Sequence, residues 1–331
     1  MNKMIIAVLA SSLVPAAAMA QSSVTVYGVA DAGLVRESGS PTGTVNAITS
    51  GVASGSRLGF KGKEDLGNGV KAYFVLENGF NIDTGSAAQG GLLFGRQAYL
   101  GMSSELGAVT VGRQYSPYYR AMRDIGDVFC AGFAGRAGNI LASNTRLDNM
   151  VSYVTPSLQG FTAELAVGLG EVPDNAAAKR AYSSALTYTA GPLVAALSWH
   201  QQQNALATDS SANTLLTARY NFGVAEASAG YARNKGLAGA RSNDVIVGVI
   251  VPAGAVTKVY ASYIHHDDTT AAARDASQWA FGATYALSKR TDLYAAYAHI
   301  DNRNGATFKV GNATTDGTGN TGVNLGIRHT F

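Results

Sequence analysis

Gly322-Val323-Asn324-Leu325-Gly326-Ile327-Arg328-His329-Thr330-Phe331 puts Val323, Leu325, Ile327, His329 and Phe331 on one side and Asn324, Gly326, Arg328 and Thr330 on the other. Successive side chains of a strand point to opposite faces, so this segment reads as a strand with one apolar and one polar face. In a soluble sandwich the apolar face meets a second sheet. In a transmembrane barrel it meets lipid, with aromatic residues at the interface and the polar face toward a lumen.

The same alternation recurs along the chain. Phe161, Ala163, Leu165, Val167 and Leu169 alternate with Thr162, Glu164, Ala166 and Gly168, and Trp279, Phe281, Ala283, Tyr285 and Leu287 alternate with smaller or polar neighbours. Sixteen such runs are legible, at 23–35, 54–64, 70–80, 92–103, 108–114, 146–155, 160–169, 181–190, 193–201, 214–222, 225–234, 243–252, 256–265, 277–287, 292–301 and 322–331. Most approach the ~9–11 residues that a tilted barrel strand needs to cross a bilayer.

Composition agrees with the membrane reading. Glycine is abundant, 39 of 331 residues, while charged residues make up only 14%, about half of the ordinary share. Past residue 20 no apolar stretch is long enough for a spanning helix, so the chain can live in a bilayer only as a closed barrel, in which every backbone group is paired. Residues 1–20 carry Lys3, an apolar stretch over 4–14 and the small residues Ala16, Ala17, Ala18 and Ala20. They read as a secretory signal cleaved before Gln21, leaving one barrel domain over 21–331. The formal charge of +3, +2 without Lys3, gives no reason to expect a nucleic-acid partner. Cys130 is the only cysteine, so no intramolecular disulfide is available.

Connection lengths give a second, independent signal. Turns such as 64–69, 104–107, 156–159, 190–192 and 288–291 are short, and every second connection is longer, as at 36–53, 115–145, 202–213 and 302–321. Short turns on one side and long loops on the other are the pattern of an outer-membrane barrel, and both chain ends then fall on the short-turn side. The expected fold is therefore all-β, a sixteen-stranded antiparallel transmembrane barrel.

Several motifs, in order, resemble the general porins of Gram-negative β-proteobacteria: Val24-Thr25-Val26-Tyr27-Gly28-Val29-Ala30-Asp31, Ser56-Arg57-Leu58-Gly59-Phe60-Lys61-Gly62, Leu76-Glu77-Asn78-Gly79-Phe80, Phe94-Gly95-Arg96-Gln97-Ala98-Tyr99-Leu100-Gly101, Gly112-Arg113-Gln114 and Gly326-Ile327-Arg328-His329-Thr330-Phe331. The resemblance implies a homotrimer in the outer membrane, bedded in lipid and lipopolysaccharide, through which small hydrophilic solutes and ions diffuse. It also implies that the third long loop folds into the lumen, where wall arginines face acidic residues. Matched by motif, the arginines are Arg57, Arg96 and Arg146, and the acidic partners are Glu77 and either Asp124 or Asp127. Met150 stands where the family more often has serine.

The residues themselves support an inward loop. The 115–145 stretch holds Tyr118, Tyr119, Met122, Ile125, Val128, Phe129, Phe133, Ile140 and Leu141, too many large apolar groups for a loop dangling in water. Run as a strand, 92–103 puts Phe94, Ala98 and Leu100 on the face of Arg96, where the loop could cover them. On 54–64, Arg57, Gly59, Lys61 and Lys63 share a face opposite Leu58, Phe60 and Gly62; on 70–80, Lys71, Tyr73, Val75 and Glu77 lie opposite Phe74 and Leu76. The polar sets face the lumen. Opposed charges at a narrowing set ion selectivity, and three arginines against two or three carboxylates lead to an expected modest anion preference.

Other classes are weaker. There is no Gly-x-Ser-x-Gly elbow, and Gly67-Asn68-Gly69-Val70-Lys71-Ala72 joins two strands rather than a strand and a helix, so neither an enzyme nor a nucleotide cofactor is expected. His265, His266, Asp267 and Asp268 read as a solvated loop tip rather than a metal site. A solute-specific channel would carry a ladder of aromatics in the lumen, whereas the tyrosines mostly share faces with Val, Leu and Ala, as interface girdles do. The long loops hold few large side chains, which weakens an adhesin.

Overall fold

A computed structural model describes residues 23–331; the expected signal segment lies outside the described residues. Its strands are β1 (Ser23–Ser40), β2 (Gly43–Ser50), β3 (Arg57–Gly67), β4 (Val70–Gly79), β5 (Gln97–Ser104), β6 (Gly107–Tyr115), β7 (Arg146–Val154), β8 (Phe161–Gly168) and β9 (Ala181–Ala190). They continue as β10 (Leu193–Gln203), β11 (Ser210–Asn221), β12 (Glu226–Lys235), β13 (Arg241–Pro252), β14 (Thr257–Asp268), β15 (Ala276–Ala286), β16 (Thr291–Asn302) and β17 (Thr321–Thr330). From β3 onward each pairs antiparallel with the next, and β1 pairs with β17, closing the sheet. The lower half of β1 pairs with β3 and its upper half with β2. These two share one place in the ring, so seventeen segments make sixteen wall positions.

This division corrects the expectation that 36–53 is a long loop. Pro41 and Thr42 make a tight hairpin instead, and the wall breaks at 51–56. The short polar run of β2 hides its period, and one buried residue holds the break. The Asp31 carboxylate accepts the backbone N–H groups of Val52, Ala53 and Ser54 at 3.0, 3.1 and 2.9 Å, and the Tyr294 hydroxyl donates to it at 2.8 Å. The second correction is at β5, which starts at Gln97 rather than at residue 92. Strand parity does not reach back to Arg96: the guanidinium turns inward while Leu100 stays 62% exposed on the outer face. No loop covers Leu100. The third concerns His265 to Asp268, which end β14; His266 Nδ1 lies 2.6 Å from Asp244 Oδ1.

The two faces of the wall differ as the closing strand requires. On β17 Leu325 is 56% exposed and Asn324 2%, because the first faces outward and the second the crowded interior. Phe161 with Tyr188, Tyr220 with Phe222, and Tyr285 sit outside near the short turns, the place of an interfacial girdle. The tyrosines, however, divide evenly between the faces. Tyr27, Tyr73, Tyr99, Tyr115, Tyr118, Tyr119, Tyr260 and Tyr294 lie inside, which corrects the expectation of mostly outward rings.

The 116–145 segment opens with α1 (Pro117–Ala121), capped by Ser116 Oγ accepting from Tyr119 N, and continues in a π-helical turn over Met122–Gly126. Tyr118 packs on His200 of β10. Arg219 of β11 donates to the carbonyls of Ile125 and Asp127, and Ser228 of β12 to that of Gly126. Phe129 and Phe133 pack on Tyr260 of β14, and Phe133 on Tyr294 of β16. A segment that touches one face of so many strands of a closed sheet lies on its concave side.

Replacing Asp31 by alanine leaves three buried N–H groups and a hydroxyl unpaired, each worth ~1–3 kcal/mol. Asp31→Ala is expected to lower by at least about 10 °C the temperature at which the barrel loses its heat-modifiable mobility in detergent gels, and an unchanged transition would refute the role given to this carboxylate.

Candidate functional site

Where strands meet connections on the long-loop side, their terminal residues aim arginines at one point. Arg57 begins β3, Arg146 begins β7, Tyr115 ends β6, and Arg96 immediately precedes β5. With Tyr119, Arg123 and Asp124 from the inward segment, Arg136 further along it and Thr314 from the last connection, they line a cavity of about 650 Å³. The geometry keeps five like charges together. Arg96 Nε donates to Glu77 Oε1 at 2.7 Å, and Arg96 and Arg146 both donate to the Tyr115 hydroxyl, at 2.7 and 2.9 Å. The guanidinium carbons of Arg146 and Arg123 stand 4.6 and 4.9 Å from the Tyr115 ring centre, so the ring's negative face offsets part of the repulsion. Arg57 donates to the Gly55 carbonyl and to Ser54 Oγ. Arg136 pairs with Asp316 at 2.6 Å, and Arg123 with Asp124.

Of the residues singled out from sequence, Arg57, Arg96, Arg146 and Asp124 come together on this cavity. Glu77 is placed differently. It is buried behind Arg96 and also accepts from the Tyr27 hydroxyl at 3.0 Å, so it balances charge from within the wall. Asp127 does not reach the cavity. Its carboxylate, 1% exposed, accepts the N–H groups of Phe129, Ala131 and Ala137 at 2.9, 2.9 and 2.8 Å. Burial pushes this carboxyl up, against the pull of the three donors. Those bonds hold Cys130, Ala131 and Phe133 at positive φ, a backbone that costs a residue with a Cβ roughly 1–2 kcal/mol each. Sequence left Asp124 and Asp127 as equals; burial separates them.

Lys61 lies lower on the wall, its Nζ 5.3 Å from the Tyr27 ring centre, with Tyr73 and Lys71 on the same inward face of β4. Met150 is fully buried against Leu147, Ala166 and Ala181. Sequence reading misses Tyr115, Tyr119, Arg123 and Arg136. A signal is present, since Arg120, Arg123 and Arg136 stand out in a largely apolar loop, but it does not say which of them reach the cavity.

Two measurements test this geometry. Asp127→Ala is expected to give unsteady single-channel current, with conductance fluctuations absent from Asp124→Ala, because of the two carboxylates Asp127 alone accepts backbone N–H groups of the segment; identical traces would overturn the distinction. Cys130 lines the cavity, so a bulky anionic thiol reagent on it should cut conductance at least twofold. Full current after confirmed labelling would place the thiol elsewhere.

Residues 6–305 match the family model described as Gram-negative porin. The chain is 35% identical to outer membrane porin protein 32 of Delftia acidovorans, with 98% of each chain covered. It is 32% identical to an outer membrane porin protein of Bordetella pertussis, over 95% of this chain and 96% of that one. The anion-selective porin from Comamonas acidovorans has a similar structure, with TM-score 0.81 and 30% identity, over 94% of this chain and 100% of that one. The closed barrel and these relatives lead to one conclusion: the chain belongs to the Gram-negative porins, channel-forming proteins of the outer membrane rather than enzymes.

Proposed function

We infer that this barrel is a general diffusion channel for small hydrophilic solutes and ions, with a modest preference for anions set at the arginine cavity. The observation that carries the preference is the lining itself. Five arginines point into it against one lining carboxylate, Asp124, while Glu77 and Asp316 pair with Arg96 and Arg136. Two positive charges remain uncompensated in a narrow passage, where a reduced dielectric strengthens their field. The solved relative described as anion-selective adds support. Arg57, Arg96 and Arg146 are the selectivity residues in this reading, with Asp124 as their acidic counterpart, Glu77 as a charge-balancing residue, and Lys61 and Lys71 extending the positive wall toward the short-turn side.

A cleaved signal over 1–20 would deliver the chain to its membrane. Assembly as a homotrimer, with lipopolysaccharide against the remaining outer surface, is also part of this proposal. The small outward residues Ala30 and Ala32 of β1 suit close approach of a second wall.

Current through the purified protein in a planar bilayer under a KCl gradient tests the reading. A reversal potential on the chloride side is expected, and Arg57→Gln with Arg146→Gln should lower the chloride-to-potassium permeability ratio at least twofold. A cation preference in the unaltered protein would overturn the assignment.

A further inference from the structure

Below the arginines, the inner wall of β1, β3, β4 and β5 carries a second pattern. The pairing register sets its inward residues in rows. Lys63 lies beside Tyr73, and Lys61 beside Val75, which lies beside Tyr99; Tyr27 and Glu77 flank Gly59 in the next row, and Arg57 follows at the top. Rows two residues apart are separated by about 7 Å. Each of the two lower rows therefore offers one cation and one aromatic ring, and the series ends at the arginine cavity.

The rings lie against the wall. Tyr27 and Tyr73 each cover a glycine on the neighbouring strand: a Cβ on Gly59 would come within 2.3 Å of the Tyr27 ring, and one on Gly101 within 2.4 Å of the Tyr73 ring. Rings held flat in this way turn a face to the lumen. Tyr99 stands edge-on to Tyr73 with centroids 6.5 Å apart. A hollow of about 500 Å³ opens here, lined by Thr25, Lys61, Lys63, Tyr73, Val75 and Ser103. Lysine supplies the counter-charge for a carboxylate, and tyrosine a surface for a planar apolar ring.

We propose that this wall is a binding track for single-ring aromatic carboxylates, which leave the arginine cavity and settle in the Lys61–Lys63–Tyr73 hollow, ring against tyrosine and carboxylate against lysine. The track rests on the anion-passing reading above and names a substrate class for it. A saturated-ring carboxylate of similar size and equal charge gains the lysines but not the ring faces, so the two classes separate the contributions.

The test is block of chloride current through the full protein in a planar bilayer by sodium benzoate and by sodium cyclohexanecarboxylate. Benzoate is expected to halve the current at about fivefold lower concentration, as one or two ring contacts would give. Tyr73→Leu with Tyr99→Leu keeps bulk against Gly101 and should make the two anions equal. Tyr73→Phe with Tyr99→Phe should keep the benzoate advantage, which guards against a misfolded leucine variant. Lys61→Gln with Lys63→Gln should weaken both anions alike. Equal potency in the unaltered protein, an advantage that survives in a folded leucine variant, or one lost in the phenylalanine variant would each overturn the track. Failure of the underlying reading shows separately, as a reversal potential in KCl alone without anion preference.

Discussion

Hydrocarbon offers a peptide group no hydrogen-bond partner, and each unpaired N–H or C=O in it costs several kcal/mol. A chain without long apolar segments can meet that constraint only by pairing every strand and closing the sheet on itself. Closure is made here by β1, whose length lets it bond β17 on one side and both β2 and β3 on the other. The period-two alternation follows from the same constraint, since one face must dissolve in lipid while the other surrounds water.

Closure also creates an interior that has to be filled selectively. The inward segment does so as a miniature core, with Phe129, Phe133 and Tyr118 packed on inner-wall residues, and two buried carboxylates tie down the backbone around it. Asp31 gathers the break between β2 and β3; Asp127 gathers the turn around Cys130. These groups fix loops, which leaves Asp124 and the arginines at the cavity surface. Arginine suits that surface because its planar guanidinium stays charged and can stack on Tyr115 while donating to Tyr115 and Glu77.

Sequence periodicity reveals the strands wherever a residue's face is set by its parity. Arg57, Lys61 and Glu77 read as inward because each lies on a regular strand. Parity fails at Arg96, where the backbone enters β5 irregularly after Gly95, and at β2, where Val45 and Ile48 are too few and too far apart to show a period. It says nothing inside 116–145, because a loop's faces are defined by what it packs against.

The sequence by itself determined a sixteen-place barrel with an apolar outside and a charged inside, since alternation, turn lengths and glycine content are local properties written in neighbouring residues. Only the tertiary structure decided which charges share the cavity. Arg123 and Arg136 join Arg57, Arg96 and Arg146, while Asp127 withdraws into its own loop and Glu77 into the wall behind Arg96, because the path of an irregular loop and the packing against it are not recorded in any alternation of neighbouring residues.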